Sequence, residues 1–288
     1  RMRKLRSATL GTEPDIVLAF MTETAVLSLL AMRGTGIPVL ACEHSDPYCD
    51  PPSRVWRAMR KVVFRLATRV ILLSEHARDY FTGSVRARSA VIPNPVTAFD
   101  SKRAPEKIVL SMGRLARVKR YDRLIDAFAT ISARHATWRL IILGEGDERG
   151  ALEGQLQELG LSGRVDLPGM IKDTEPYLSR AGIYVLCSDY EGFPMALCEA
   201  MAAGIPSVSV RYNKGIDDII QDEINGLTVP AQSTQALSEA IDSLIMNEQQ
   251  RHRIGEAARV RMQDYSMDSI ARKWNDIFMD VLTTHPAQ

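Results

Sequence analysis

IYVLCSDYEGFPMALCEAMAAGIP, residues 183–206, places three kinds of sequence in a row. Ile183 to Ser188 is an apolar, β-branched run of the kind that forms a strand buried on both faces of a parallel sheet. A tight Gly-Phe-Pro turn follows, and Ala-rich helical sequence follows that. Pro194 suits the first helical turn, where its missing N–H costs nothing. The stretch therefore reads strand, turn, helix. Such a unit sets unsatisfied N–H groups and the positive end of a helix dipole at the C-terminal edge of the sheet, a natural phosphate site. Two glutamates flank the turn, Glu191 before it and Glu199 on the helix, with seven residues between them. Both can face one cleft.

Outward from this unit the same alternation covers the chain. DIVLAF (15–20), IPVLA (37–41), RVILLS (69–74) and AVIP (90–93) read as strands in the first part. KIVLSM (107–112), WRLIIL (138–143), RVDLP (164–168), IYVLCS, PSVSV (206–210) and GLTVP (226–230) do so in the second. Amphipathic helices separate them, as in a parallel α/β sheet. One is expected over 122–133, with Leu124, Phe128 and Ile131 on its inner face and Asp122 as N-cap. Residues 94–106 (NPVTAFDSKRAPE) are polar, hold two prolines and lack an apolar period, and read as a linker. The expected architecture is two Rossmann-like domains facing across a cleft, residues 1–100 and 101–267. Ligands of such sheets bind beyond the strand C-termini.

Three further loops sit at such strand ends. KIVLSM runs into GRLARVKRYDRL, with Gly113 permitting close backbone approach and Arg114 and Lys119 able to meet a diphosphate. Arg117, Arg120 and Arg123 read as a solvated basic face. WRLIIL runs into GEGDER, where Gly144 and Gly146 form a G-x-G fragment that alone is weak evidence for a nucleotide. His44 stands just past the strand IPVLA, beside Glu43 and Asp46. A lone histidine there serves structure as readily as chemistry.

These pieces together resemble the retaining glycosyltransferases of family 4 (group 1), which have the GT-B fold. The E-x7-E segment from Glu191 to Glu199, the G-R-L…K segment from Gly113 to Lys119, and the pieces SEHARDYF (74–81) and VIPNPV (91–96) carry the resemblance. It implies an enzyme that moves a hexose-type sugar from a nucleotide diphosphate donor, UDP-sugar first and GDP-sugar second, to a hydroxyl acceptor. By resemblance Arg114 and Lys119 hold the diphosphate, Gly113 and Gly144 line the nucleotide pocket, and the backbone around Met170 and Ile171 meets the base. Met170 alternatively packs in the core. Glu199 binds the ribose. Glu191, with the turn of Gly192, Phe193, Pro194 and Met195, orients the sugar, and His44 approaches it from the first domain. Glu43 and Asp46 are candidates for acceptor contact.

The resemblance also implies a discontinuous first domain, with the amphipathic segment 268–283 packing back on it. It points to acceptors of surface polysaccharide or lipid-linked oligosaccharide type. The family's opening strand and Gly-rich loop have no counterpart near Arg1, so the first domain is expected to be incomplete. Two alternatives stand beside the transferase, the first from that incompleteness and the second from a shared two-domain cleft and donor chemistry. One is a nucleotide-sugar-binding module without turnover, and the other is a GT-B sugar-nucleotide epimerase.

Composition narrows the rest. At 45% hydrophobic, 25% charged and +1 net, the 288 residues fit a globular protein with no field that selects nucleic acid. Cys42, Cys49, Cys187 and Cys198 lack metal-ligand spacing and read as buried reduced thiols. No Asp-x-Asp motif offers a carboxylate-held metal, so no metal or cofactor is expected. No apolar run reaches the ~18 residues of a membrane span, and a cytoplasmic location is expected. The helix 53–67 mixes Arg54, Arg57, Arg60, Lys61 and Arg65 with Val55, Trp56, Val62 and Leu66. It is either a core-packed helix with a solvated basic face or a surface helix resting on anionic lipid on the inner face of a membrane.

Overall fold

The computed structural model describes residues 2–49, 53–97 and 104–285. Contacts divide the chain into two units, Arg1–Pro95 with Met267–Gln288, and Val96–Ser266. Each unit is an α/β layer structure built on one wholly parallel sheet.

In the first unit, β1 (Val17–Phe20), β2 (Val39–Glu43), β3 (Arg69–Leu72) and β4 (Ser89–Val91) pair in chain order. Its helices are α1 (Met2–Leu10), α2 (Thr22–Ala31), α3 (Arg54–Val63), α4 (Glu75–Asp79) and α5 (Gly83–Ala87). The strands read as unbroken apolar runs because both faces are covered. Val39 and Ala41 face the layer of Val26, Leu29, Val63 and Phe64. Leu40 and Cys42 face the other side, where Ile270, Trp274, Ile277, Phe278 and Val281 pack. Those last five residues belong to the C-terminal helix Met267–Thr284, a member of this unit. Ser74 caps α4, its hydroxyl accepting from the Ala77 amide at 3.1 Å.

The second unit holds β5 (Ile108–Met112), β6 (Arg139–Leu143), β7 (Val165–Gly169), β8 (Ile183–Leu186), β9 (Ser207–Arg211) and β10 (Leu227–Pro230). They lie in the order β10-β9-β8-β5-β6-β7. After β5 the chain proceeds outward through β6 and β7. It then returns to the middle for β8 and proceeds outward the other way. The order therefore reverses between β5 and β8, and the loops leaving those two strands diverge to open a crevice at their carboxyl ends. Helices α6 (Tyr121–Ser132), α7 (Arg149–Glu158), α8 (Glu175–Leu178), α9 (Met195–Ala202), α10 (Thr234–Met246) and α11 (Glu248–Met262) cover both faces; α12 is the C-terminal helix of the first unit. Ile183 and Val185 pack with Leu124, Phe128 and Leu237 on one face, Tyr184 and Leu186 with Leu197, Met201 and Met262 on the other. Each such aliphatic burial is worth roughly 1.5–3 kcal/mol.

All ten expected strands are present, with ends displaced by one or two residues. Asp122 is not the N-cap of α6. Arg120 holds that position in the left-handed region at φ 52°, and the Asp122 carboxylate accepts from its guanidinium at 2.9 and 3.0 Å. Pro194 occupies the N-cap of α9 rather than its first turn. Part of the expected linker, residues 98–103, lies outside the described residues. The basic helix does not present all its charges outward either. Arg60 is wholly buried and pairs with Glu43 at 3.2 Å.

Candidate functional site

The loops leaving β5, β6 and β7 are locked together by glycine. A Cβ on Gly144 would lie 1.9 Å from the Gly113 carbonyl oxygen, and one on Gly146 would lie 2.2 Å from that of Leu115. Gly113, Gly144 and Gly169 all have positive φ, conformations that a side chain strains. Backbone bonds run across the gap, from Leu115 N to Glu145 O at 2.8 Å and from Gly144 N to Gly169 O at 2.9 Å. The G-x-G turn thus exists to bring strand-end backbones together.

The loop after β5 is clamped in turn by the end of β8. The Cys187 thiol donates to the Lys119 carbonyl at 3.0 Å, and the Asp189 amide donates to Val118 O at 2.8 Å. Burial pushes the Cys187 thiol up to about 12, so it remains a protonated donor. The Asp189 carboxylate lies 3.5 Å from both Arg120 and Arg123. Arg123 is itself buried and donates to the Ala231 carbonyl. Arg120 and Arg123 therefore serve the architecture.

This clamp brings Lys119 against Glu191. Lys119 Nζ lies 2.7 Å from Glu191 Oε1, and the Ser188 hydroxyl donates to the same oxygen at 2.6 Å. Their side chains keep 23% and 12% of their surface, enough for a ligand to reach them. Glu191 Oε2 has no hydrogen-bond partner among the described residues. Ser188 was not foreseen. Its S-x-x-E spacing to Glu191 is that of a capping box, a signal that draws the eye to the pair, although here the hydroxyl meets the carboxylate itself.

Beyond the turn, α9 begins at Met195 with no side chain capping it. The Met195 amide is spent on the Phe193 carbonyl at 2.9 Å, and Pro194 has no N–H to offer. Donors from this turn are thus the amides of Gly192 and Phe193, with Ala196 and Leu197 on the first helical turn; none has an acceptor among the described residues. The Phe193 ring packs against the core, 6.0 Å from the Tyr265 ring. Its side chain is structural. Glu199, on the same helix, is half-buried with no hydrogen-bond or ion-pair partner among the described residues, and burial raises its carboxyl above the ordinary value. A carboxylate placed so is short of donors, which a ribose diol supplies.

Arg114 is exposed and likewise unpaired among the described residues, at the same strand end. Met170 is 75% exposed, so the core-packing alternative fails for it. Ile171 next to it packs against the core instead.

In the first unit, His44 follows β2 and meets the Phe20 ring edge-on at 5.0 Å. Burial lowers its pKa, opposed by the charge of Glu43, so the neutral imidazole is favoured. Glu43 is corrected as an acceptor contact. It is buried, with Oε2 taken by Thr22 and Arg60 and Oε1 by the Ser45 hydroxyl at 2.8 Å. Asp46 is also buried, accepting from the Tyr48 amide at 2.9 Å.

Among the described residues no three His, Cys, Asp or Glu side chains converge on a common point, and no helix is long and apolar enough to cross a membrane. The four cysteines are free thiols; Cys42, Cys187 and Cys198 are buried, but Cys49 is exposed, contrary to expectation.

This chain is similar to known proteins. The amylovoran biosynthesis glycosyltransferase AmsD of Erwinia amylovora is 26% identical over 280 residues, 93% of this chain and 78% of that protein. A Campylobacter jejuni enzyme named GalNAc-alpha-(1->4)-GalNAc-alpha-(1->3)-diNAcBac-PP-undecaprenol alpha-1,4-N-acetyl-D-galactosaminyltransferase is also 26% identical, over 96% of this chain and 78% of its own. The crystal structure of Anabaena Alr3699/HepE in complex with UDP superposes with a TM-score of 0.86 at 21% identity, covering 96% of this chain and 82% of that one. Its likeness is one of fold, the GT-B glycosyltransferase fold. Residues 1–98 match Glycosyltransferase Family 4, and residues 97–261, which include every strand-end loop of the crevice, match Glycosyl transferases group 1. With more than half its length so matched, the chain belongs to the group 1 glycosyl transferases and is a transferase enzyme.

Proposed function

We propose that this glycosyltransferase moves a hexose-type sugar, with retention, from a UDP-sugar to a hydroxyl of a glycan or lipid-linked acceptor in surface polysaccharide or glycolipid assembly. The observation that carries the reading is the reversal of strand order between β5 and β8, which gathers Lys119, Glu191 and the uncapped start of α9 at one crevice. Cationic side chains and helix amides together suit a diphosphate that gains charge as it departs. Arg114 and Lys119 are assigned to the diphosphate, Glu199 to the ribose, and the backbone from Gly113, Gly144, Met170 and Ile171 to the nucleotide pocket. Glu191 with the amides of Gly192 and Phe193 is assigned to the sugar. Neutral His44 is assigned a catalytic role as a hydrogen-bonding partner of sugar. UDP in the complex of Alr3699/HepE supports the choice of nucleotide. The names of AmsD and of the PP-undecaprenol enzyme support the acceptor class.

Charge stabilisation from Lys119, Arg114 and α9 does not call on a metal, and metal-independent turnover is part of the proposal. Loss of turnover in EDTA that Mg2+ or Mn2+ restores would count against it. A membrane surface is proposed as a partner of α3 and the turn after it. Val55 and Val62 are each 66% exposed, and Leu66 is exposed with them, between Arg54, Lys61 and Arg65. Such a stripe suits an anionic bilayer. Co-sedimentation with anionic liposomes should weaken as salt rises, and indifference to anionic lipid would sink that part.

The first test is calorimetric titration of UDP, with GDP alongside, into the full chain without metal. UDP binding that Lys119→Ala weakens supports the diphosphate site. Binding of neither nucleotide refutes the reading. Product analysis with UDP-sugars then separates a new glycoside from a changed free sugar, the product of an epimerase.

A further inference from the structure

The Lys119–Glu191 contact has a consequence for donor binding. The ammonium assigned to the diphosphate already has an anion, Glu191 Oε1 at 2.7 Å. It cannot give its full charge to a phosphate while it holds that carboxylate. A second group acts on the same oxygen. The Ser188 hydroxyl, on a residue only 1% exposed, donates to Glu191 Oε1 at 2.6 Å. Ser188 lies between Cys187 and Asp189, whose thiol and amide hold the backbone of the Lys119 loop. One three-residue segment therefore fixes the cation's loop and aims the carboxylate at the cation.

We infer that Ser188 is a positioning residue that holds Glu191 against Lys119, and that donor diphosphate binds by exchange, displacing the carboxylate from the ammonium. This rests on the assignment of Lys119 to the diphosphate. After the exchange Ser188 is the remaining contact of Glu191 Oε1, so the carboxylate stays at the turn, relieved of its countercharge and free to act on the sugar. A nucleotide without a sugar gains nothing from a relieved Glu191 and must still break the pair. The internal carboxylate therefore competes with UDP, and binding and turnover respond to it with opposite signs.

The experiment is calorimetric titration of UDP into the full chain, its Glu191→Gln, Ser188→Ala and Lys119→Ala variants, and the doubles Ser188→Ala/Glu191→Gln and Lys119→Ala/Glu191→Gln. Glu191→Gln is expected to tighten UDP by about 3- to 10-fold, the range of a modest coupling between two ligands of one group. Ser188→Ala, which changes no charge, tightens it by less and adds nothing once Glu191 is Gln. In the Lys119→Ala background Glu191→Gln has no effect. A packing defect at a buried serine would weaken binding, so tightening separates positioning from mere structure.

Three results overturn the inference. Glu191→Gln leaves UDP affinity unchanged or weaker; its tightening persists without Lys119, which marks a simple field effect; or Ser188→Ala weakens UDP in both backgrounds. Should Ser188→Ala fail to fold, Glu191→Gln with and without Lys119 still decides the exchange. Undiminished UDP affinity in Lys119→Ala would instead refute the diphosphate assignment itself, and the exchange with it.

Discussion

Two glutamates stand at strand ends of the two parallel sheets, and each meets a cation and at least one hydroxyl, yet they are opposites. Glu43, at the end of β2, has both oxygens occupied and no surface, and its partner Arg60 is also fully buried. The Arg60 guanidinium lies 4.9 Å from the Tyr80 ring centre and 5.6 Å from that of Phe81. Those faces meet a cation whose Nε and one Nη lack hydrogen-bond acceptors among the described residues. Glu191, beyond β8, has one oxygen accepting two hydrogen bonds and the other without a partner among the described residues, and it keeps 12% of its surface. A charge sealed on every side is architecture. A charge half-satisfied at an open crevice is available for chemistry.

The largest effect that could break this contrast is on stability. Arg60→Ala should cost about 3–5 kcal/mol in denaturant unfolding, because it strands a buried carboxylate. Replacing both partners by apolar residues, Arg60→Met with Glu43→Leu, should recover most of it. If Arg60→Ala costs no more than an exposed ion pair, below about 1 kcal/mol, Glu43 is not sealed as described.

Next in size is the effect on turnover. Lys119→Ala and Glu199→Ala should each lower turnover by about 10²-fold, with thermal midpoints close to the parent's. Near-normal turnover in both would reassign the crevice.

A smaller test sharpens the contrast at Glu199. Burial raises its carboxyl above 4.5 in the folded chain. The folded state therefore holds the proton to higher pH than the unfolded state does. Its burial costs stability above the folded pKa and nothing below the unfolded one. Glu199→Gln should raise Tm slightly at neutral pH, with the gain fading as pH falls towards 4.5, while weakening UDP. A variant that loses Tm at neutral pH would show that Glu199 has a partner inside the fold.

The smallest effect concerns His44, whose pKa burial holds below 6.5. Here the folded state resists the proton. Stability is fully present above about pH 6.5 and is lost as pH falls through the lower folded pKa. The parent should lose more Tm between about pH 7.5 and about pH 5.5 than His44→Gln does. Equal losses would place the imidazole in water.

Much of this was legible in the chain. Strands buried on both faces announce themselves as short apolar runs, which is why all ten could be read. The E-x7-E turn is a local pattern, so its strand, turn and helix followed from neighbouring residues alone. Glu43 misled because a carboxylate one residue before a strand-end histidine looks the same in sequence whether sealed or open. Its burial depends on Arg60, 17 positions away, and on Thr22, 21 positions away. Met170 could be read two ways because periodicity does not say which residue past a strand end turns outward.

By itself, then, the sequence determined the elements, the glycosyltransferase resemblance and the two glutamates at the turn, since each is written within a few consecutive residues. Only the tertiary structure decided which charges have partners. Lys119 and Glu191 stand 72 positions apart. They meet because β8 returns to lie beside β5, and strand order is a property of the whole sheet that no local pattern encodes.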